Sequence, residues 1–109
     1  DSKQAVVELT PNGQIIYANK IFLKLTDYTL DEIYQQPHKI FCEDAYINSS
    51  EYKQLWDNLK SGKSVAGEFK RLGKNQKKLW ISANYTPILN SDGEVFKVIK
   101  FLTLTKEAL

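Results

Sequence analysis

Hydrophobic and polar positions follow a period of two near both ends of the chain and a period near 3.6 in its middle, and that contrast divides it into elements. Ala5-Val6-Val7-Glu8-Leu9 and Gln14-Ile15-Ile16-Tyr17-Ala18 read as strands joined by Thr10-Pro11-Asn12-Gly13. In that turn Pro11 presets φ, while Asn12 and Gly13 tolerate the left-handed region. Gly73-Lys74-Asn75-Gln76 joins residues 66–72 to residues 77–87, and Asn90-Ser91-Asp92-Gly93 joins that long run to residues 94–105. Five strands in two groups are predicted.

Between the groups the pattern is helical. Ala18, Phe22 and Leu25 share one face of a short helix that Asn19 is placed to cap. Thr29-Leu30-Asp31-Glu32 has the form of a capping box, and Pro37 limits the helix that follows it. After Ser49-Ser50, Tyr52, Leu55, Trp56 and Leu59 fall at i, i+3, i+4 and i+7, the stripe of an ordinary core-facing helix, which Gly62 is placed to end. Two strands, several short helices and three strands describe an α+β fold. Consecutive strands pair as hairpins, so the sheet is antiparallel and the helices cross one face of it.

Length and composition fit that picture. A chain of 109 residues with 42% hydrophobic and 26% charged residues has room for one domain and one core. The expected domain is 1–109, with its core at about 5–105. A net charge of +2 is too small to imply a polyanionic partner. No apolar run approaches the ~20 residues of a membrane span, so direct membrane contact is not expected. Asp1-Ser2-Lys3-Gln4 reads as the lead-in from a longer chain. Cys42 is the single cysteine. It fits a reducing, cytoplasmic setting as a small apolar residue rather than a reactive thiol.

The order of elements, with the residues that carry it, resembles the PAS superfamily. Asn12-Gly13-Gln14-Ile15-Ile16-Tyr17-Ala18-Asn19 looks like that family's opening hairpin and first helix. Leu25-Thr26-Asp27-Tyr28-Thr29-Leu30-Asp31-Glu32-Ile33 is similar to its LTGY-x-x-EE-I segment, with Asp27 in place of Gly. Gly67-Glu68-Phe69-Lys70-Arg71 and Trp80-Ile81-Ser82-Ala83-Asn84-Tyr85-Thr86-Pro87-Ile88 look like its central hairpin, and Asn90-Ser91-Asp92-Gly93 like its last turn. Together with Pro37-His38-Lys39-Ile40-Phe41, these segments most resemble PAS domains of bacterial methyl-accepting chemotaxis and aerotaxis-type receptors. The resemblance implies a five-stranded antiparallel sheet of order 2-1-5-4-3 with short helices on one face and a ligand pocket between the two layers. It also implies a homodimer and signal relay through the last strand to an output domain in the same chain. The closing Asp-Ile-Thr motif of the family is incomplete, since Thr103-Leu104-Thr105 lacks the Asp.

Strand parity sorts the pocket candidates. Leu79, Ile81, Ala83 and Tyr85 share one face, and Trp80, Ser82 and Asn84 the other. The family pattern points inward from the position after this Trp, so Ile81, Ala83 and Tyr85 face Phe69 and Arg71 of the preceding strand. Trp56, Leu59 and Phe41 close the pocket from the helices. The candidate lining is therefore Trp56, Phe69, Arg71, Ile81, Ala83 and Tyr85.

The cofactor is left open among none, FAD and haem. Flavin-binding relatives commonly carry Asn where Arg71 stands. Arg71 suits either an anionic group held bidentately or a surface or half-buried ion pair. The light-sensing subgroup needs an Asn-Cys-Arg-Phe-Leu-Gln segment, and Cys42 lacks that context. Haem needs an axial ligand, and His38 is the sole histidine to supply one; a lone histidine in such a loop more often caps a helix or bonds to backbone.

With one His, one Cys and no metal-ligand spacing, the chain lacks the grouped titratable residues that catalysis uses, so an enzyme is not expected. Lys70, Arg71, Lys74, Lys77 and Lys78 gather at one hairpin tip near Phe69 and Trp80. Such a cluster can bind single-stranded nucleic acid. Lysines guarding a strand edge is the preferred reading, and no nucleic-acid partner is expected. The reading of the whole is a sensory module of a larger receptor that takes a small-molecule ligand. The alternative is a cofactor-free dimerisation and protein-interaction module.

Overall fold

The computed structural model describes residues 4–105. Strands β1 (Ala5–Leu9) and β2 (Ile15–Ala18) open the chain. Helices α1 (Lys20–Thr26) and α2 (Leu30–Ile33), a 3-10 turn (His38–Phe41), α3 (Asp44–Ile47) and α4 (Ser50–Lys60) follow. Strands β3 (Val65–Leu72), β4 (Lys78–Leu89) and β5 (Val95–Leu104) close it. The strands form one sheet in the order β2-β1-β5-β4-β3 with every neighbouring pair antiparallel, as the hairpin pattern and the resemblance imply.

Local chemistry sets the helix starts. Asn19 Oδ1 accepts from the Phe22 and Val6 amides, both at 3.0 Å, and its Nδ2 donates to the Gln4 carbonyl, so one side chain caps α1 and ties it to β1. The Thr29–Glu32 capping box is complete in both directions. Ser49 Oγ accepts from Tyr52 N at the start of α4. The α4 stripe buries Tyr52, Leu55 and Leu59 and leaves Trp56 half-buried. Burying each leucine stabilises the fold by about 1.5–3 kcal/mol.

Close approaches lock the helical layer to the sheet. His38 N donates to the Gly13 carbonyl at 2.7 Å, and the Gln35 and Ile15 main chains bond beside it, which covers the open edge of β2. Gly13 itself has φ +87°, and a Cβ there would lie 3.2 Å from Trp56 Cζ2. At the other end of the sheet the β3–β4 tip presses on α1, where a Cβ on Gly73 would meet the Thr26 carbonyl oxygen at 2.8 Å. The lysines of this basic tip reach acids of the helical layer. Lys70 pairs with Glu43 at 2.9 Å, Lys77 with Asp27 at 3.2 Å, and Lys74 with Glu32.

Register decides what the sheet shows to the helices. Ala18, Val7, Lys100, Tyr85 and Val65 form one rank across all five strands, and Ala5, Leu102, Ala83 and Gly67 form a neighbouring one. In β4 the burial alternates as parity predicts, with Leu79, Ile81, Ala83 and Tyr85 inside and Trp80, Ser82 and Asn84 outside. A lysine thus sits in the middle of the sheet on its buried face.

Candidate functional site

The inner face of the sheet and the segment from His38 to α4 enclose a polar network inside an apolar core. Its centre is Tyr85, fully buried on β4. Arg71 on β3 donates from Nη2 to the Tyr85 hydroxyl at 3.0 Å. The same hydroxyl lies 3.0 Å from His38 Nε2, and the Tyr52 hydroxyl of α4 lies 3.1 Å from His38 Nδ1. Arg71 only donates, so the arrangement that satisfies every group has Tyr85 donating to Nε2 and Nδ1–H donating to Tyr52. The chain Arg71 to Tyr85 to His38 to Tyr52 therefore joins β3, β4, the 3-10 turn and α4.

The guanidinium of Arg71 is held between two rings, 4.5 Å from the Phe69 centroid and 4.7 Å from that of Tyr46. Its Nη1 donates to the Lys70 carbonyl, and its Nε is buried without a partner. The ammonium of Lys100 lies 5.0 Å from the Tyr85 ring centroid. Arg71 and Lys100 are 3% and 1% exposed, and among the described residues neither belongs to an ion pair. The ion-pair expectation for Arg71 is thus not met. The acids paired at the β3–β4 tip, Glu43, Glu32 and Asp27, go to Lys70, Lys74 and Lys77, and rings flank the guanidinium instead.

Burial dominates the protonation of this cluster. His38 is 1% exposed; desolvation, reinforced by the Lys100 and Arg71 charges, holds its pKa well below the usual imidazole range, so it is neutral. Desolvation likewise holds Lys100 well below the usual lysine range, and the Arg71 charge adds to it. Burial pushes the Tyr52 hydroxyl up to about 12 and raises Tyr85. Burial also raises the Cys42 thiol, against the pull of Arg71 and Lys100, which fits the inert role expected of it.

Six positions were expected to line a pocket, and the structure disposes them unevenly. A void of about 10 Å³ remains between sheet and helices, lined by Arg71, Ile81 and Lys100 with Phe22, Phe41 and Leu79 among its apolar neighbours. Phe69 stacks on the guanidinium and Tyr85 accepts its hydrogen bond, the two rings being perpendicular at 5.8 Å. Ala83 lies in the adjoining rank. Trp56 packs on the far side of His38, 5.5 Å between ring centroids. Lys100 and Tyr52 were missed as site residues. The parity of Val98, Lys100 and Leu102 was the available signal, since it puts a lysine on the inward face of β5.

The two cofactors left open by the sequence can be tested against this interior. A flavin-sized ligand needs a pocket of roughly 300 Å³ or more. A void of about 10 Å³ holds about one water. With these side chains in place the interior does not fit a flavin. It does not fit haem either, because both ring nitrogens of His38 are already engaged by tyrosine hydroxyls. Among the described residues no group of three His, Cys, Asp or Glu side chains is placed to hold a metal ion. No helix among them is long and apolar enough to cross a membrane.

Comparison with known proteins agrees with the architecture. The chain is 38% identical over 101 residues to the biofilm dispersion protein BdlA of Pseudomonas aeruginosa, covering 93% of this chain and 24% of that one. It is 31% identical over 75 residues to the aerotaxis receptor of Escherichia coli, covering 69% and 15%. The chain thus spans a quarter or less of the length of these relatives. Among solved structures, a light-oxygen-voltage domain studied with a flavin analogue superposes with a TM-score of 0.82 at 19% identity, over 97% of this chain and 80% of that one, a likeness of fold. The family model described as the PAS fold matches residues 15–102, from the second strand to the last. The chain belongs to the PAS fold family.

Proposed function

We propose that residues 1–109 act as one sensory domain of a larger, chemotaxis-type receptor. In this reading an event at the Arg71–Tyr85–His38–Tyr52 network is relayed through β5 to an output domain in the same chain. The observation that carries the reading is the polar chain itself. It links the sheet to α4 through one histidine and two tyrosines, and an uncompensated lysine of β5 stands against its central ring. A small change of charge or hydrogen bonding at such a buried network is felt by every element it joins. The similarity to the aerotaxis receptor and to BdlA supports a receptor setting. A cytoplasmic location, a homodimeric parent and the absence of enzymatic or nucleic-acid-binding activity belong to the same reading. The lysines of the basic tip serve there as anchors to Glu43, Glu32 and Asp27.

A second reading, a dimerisation module without a cofactor, is favoured by the nearly filled interior and by exposed Tyr17, Trp80 and Phe96. Amide hydrogen exchange across β5, recorded with and without a panel of small metabolites, separates the two. The sensory reading expects a compound that raises the unfolding temperature and alters protection over residues 97–104. If no compound does so while the chain sediments as a concentration-dependent dimer, the interaction reading replaces it.

A further inference from the structure

The two edges of the sheet are finished differently. Along β2 the amides of Ile15, Gln35 and His38 donate to the carbonyls of Gln36, Ile15 and Gly13, which ties the helical segment onto that edge. β3 is the outermost strand on the other side, and Ala66, Gly67 and Glu68 along it are exposed.

The hairpin decides which main-chain groups of β3 are free. Gly73 N donates to the carbonyl of Lys77 opposite it, at 2.7 Å, and the register runs on from Leu72 opposite Lys78. Odd residues of β3 therefore bond to β4, and the amides and carbonyls of Ala66, Glu68, Lys70 and Leu72 point away from it. Parity in β4 agrees, because the Trp80 carbonyl accepts from Thr105 on the β5 side, at 2.8 Å. Among the described residues, the one hydrogen bond made by these outward groups runs from Arg71 Nη1 to the Lys70 carbonyl, at 3.1 Å. β3 holds no proline, and its register with β4 runs without a shift. A row of unmet donors and acceptors on an uninterrupted strand is a template for another strand.

We infer that β3 pairs antiparallel with β3 of a second copy of this chain about a two-fold axis at Phe69, so that two sheets become one. Identical strands meet in few registers, since outward-facing residues must oppose outward-facing ones. An axis at Glu68 sets two Glu68 carboxylates opposite each other, and an axis at Gly67 leaves them diagonal neighbours. An axis at Phe69 sets Glu68 opposite Lys70 of the second copy, and does so twice. Glu68 is exposed and belongs to no ion pair among the described residues. Lys70 gives one of its N–H donors to Glu43 at 2.9 Å, which leaves others for a second carboxylate. The two Phe69 side chains then oppose each other at the axis as a non-hydrogen-bonded pair on the helical side. There an open groove of about 310 Å³, lined by Tyr46, Leu55, Val65 and Phe69 among others, runs beside the edge. The inference deepens the homodimer of the proposed function and rests on that part of it alone.

The test follows sedimentation of the whole chain with concentration, and amide exchange where monomer and dimer each dominate. At a chain concentration ten times the dimer dissociation constant, the Glu68 and Lys70 amides are expected to exchange about fivefold more slowly than in the monomer. Gly67 and Phe69, already bonded to β4, are expected to change little. Glu68→Lys is expected to raise the dissociation constant about tenfold, since it sets like charges opposite each other at two places. Adding Lys70→Glu to that variant is expected to restore pairing, because positions 68 and 70 again carry opposite charges. The unfolding midpoint of each variant is recorded alongside, since Lys70 also holds Glu43, and the wild-type exchange pattern depends on no variant. A chain that stays monomeric, or a double variant no better paired than Glu68→Lys, overturns the inference. A dimer whose Glu68 and Lys70 amides exchange as in the monomer also overturns it, and leaves the homodimer standing on another surface. The sensory reading is decided by ligand-dependent exchange in β5, so each falls by itself.

Discussion

The hydroxyl of Tyr85 sits between His38 Nε2 and Arg71 Nη2, 3.0 Å from each, and so ties a strand of the sheet to the turn that precedes α3. Replacing Tyr85 with Phe keeps the ring against Phe69 and Lys100 but strands a guanidinium nitrogen and an imidazole nitrogen in the core. Each such loss costs about 1–3 kcal/mol. Tyr52→Phe strands only His38 Nδ1, one such group rather than two, and is expected to cost about 1–3 kcal/mol, roughly half the Tyr85→Phe loss. Urea unfolding of the two variants checks the order. A Tyr85→Phe protein no less stable than Tyr52→Phe means that the network does not hold the layers together.

The enclosed histidine makes the fold sensitive to mild acid. The folded-state pKa of His38 lies well below its ordinary value of about 6.5, so the unfolded chain binds the extra proton first. The stability contributed by neutral His38 is fully present above about pH 6.5, and falls as pH drops below that value toward the folded-state pKa. Proton NMR is expected to show the His38 ring signals of the folded state unmoved from pH 8 to about 5.5, while the urea midpoint declines below pH 6.5. A ring that titrates near 6.5 in the folded protein contradicts its enclosure.

Lys100 has the same sign. Its folded-state pKa is depressed, so the unfolded chain holds its proton over a range where the folded one does not, and the burden on the fold lightens as pH rises toward about 10.4. Cys42, whose thiol is raised by burial, acts in the opposite direction above about pH 8.5. Comparing wild type with Lys100→Met cancels that contribution. Lys100→Met is expected to be more stable than wild type at pH 7, by about 1–4 kcal/mol, since methionine fills similar volume without a charge. The gap is expected to narrow between pH 7 and 10. A destabilised Lys100→Met, or a gap independent of pH, shows that the ammonium has a partner inside the fold.

The parts of this molecule that were legible in its sequence are those written by neighbouring residues. The Thr10–Gly13 turn, the Asn19 cap, the Thr29–Glu32 box and the α4 stripe each depend on residues within a few positions of one another, and each forms as expected. Strand order entered through the family resemblance, because pairing β1 with β5 joins residues some 90 positions apart. The network was read only in fragments. Arg71 and Tyr85 were assigned to the inner face, but His38 was weighed as an iron ligand or as a loop histidine that caps a helix or bonds to backbone. Its ring instead finds hydroxyls from β4 and α4 that local spacing does not announce. The interior volume was also invisible beforehand. Parity tells which side chains point inward, whereas the gap they leave depends on how Tyr85, Phe69 and the Arg71 guanidinium interleave.

One backbone position reports on how the helical segment is seated. Gly13 has φ +87°, accepts the His38 amide at 2.7 Å and leaves its α-carbon open to the Trp56 ring. An alanine there must adopt a left-handed backbone, at about 1–2 kcal/mol, and its Cβ must displace an indole edge 3.2 Å away. Since Trp56 also packs edge-on to His38, the displacement travels toward the network. Gly13→Ala is expected to lower the unfolding midpoint and to shift tryptophan emission. In contrast, Gly93→Ala, at φ +80° but with no heavy atom within 4 Å of the added carbon, is expected to show the backbone cost alone, with unchanged emission. If both variants lose the same stability and Trp56 emission is unaffected in each, the glycine serves only the turn, and the contact between hairpin and helix carries no part of the coupling.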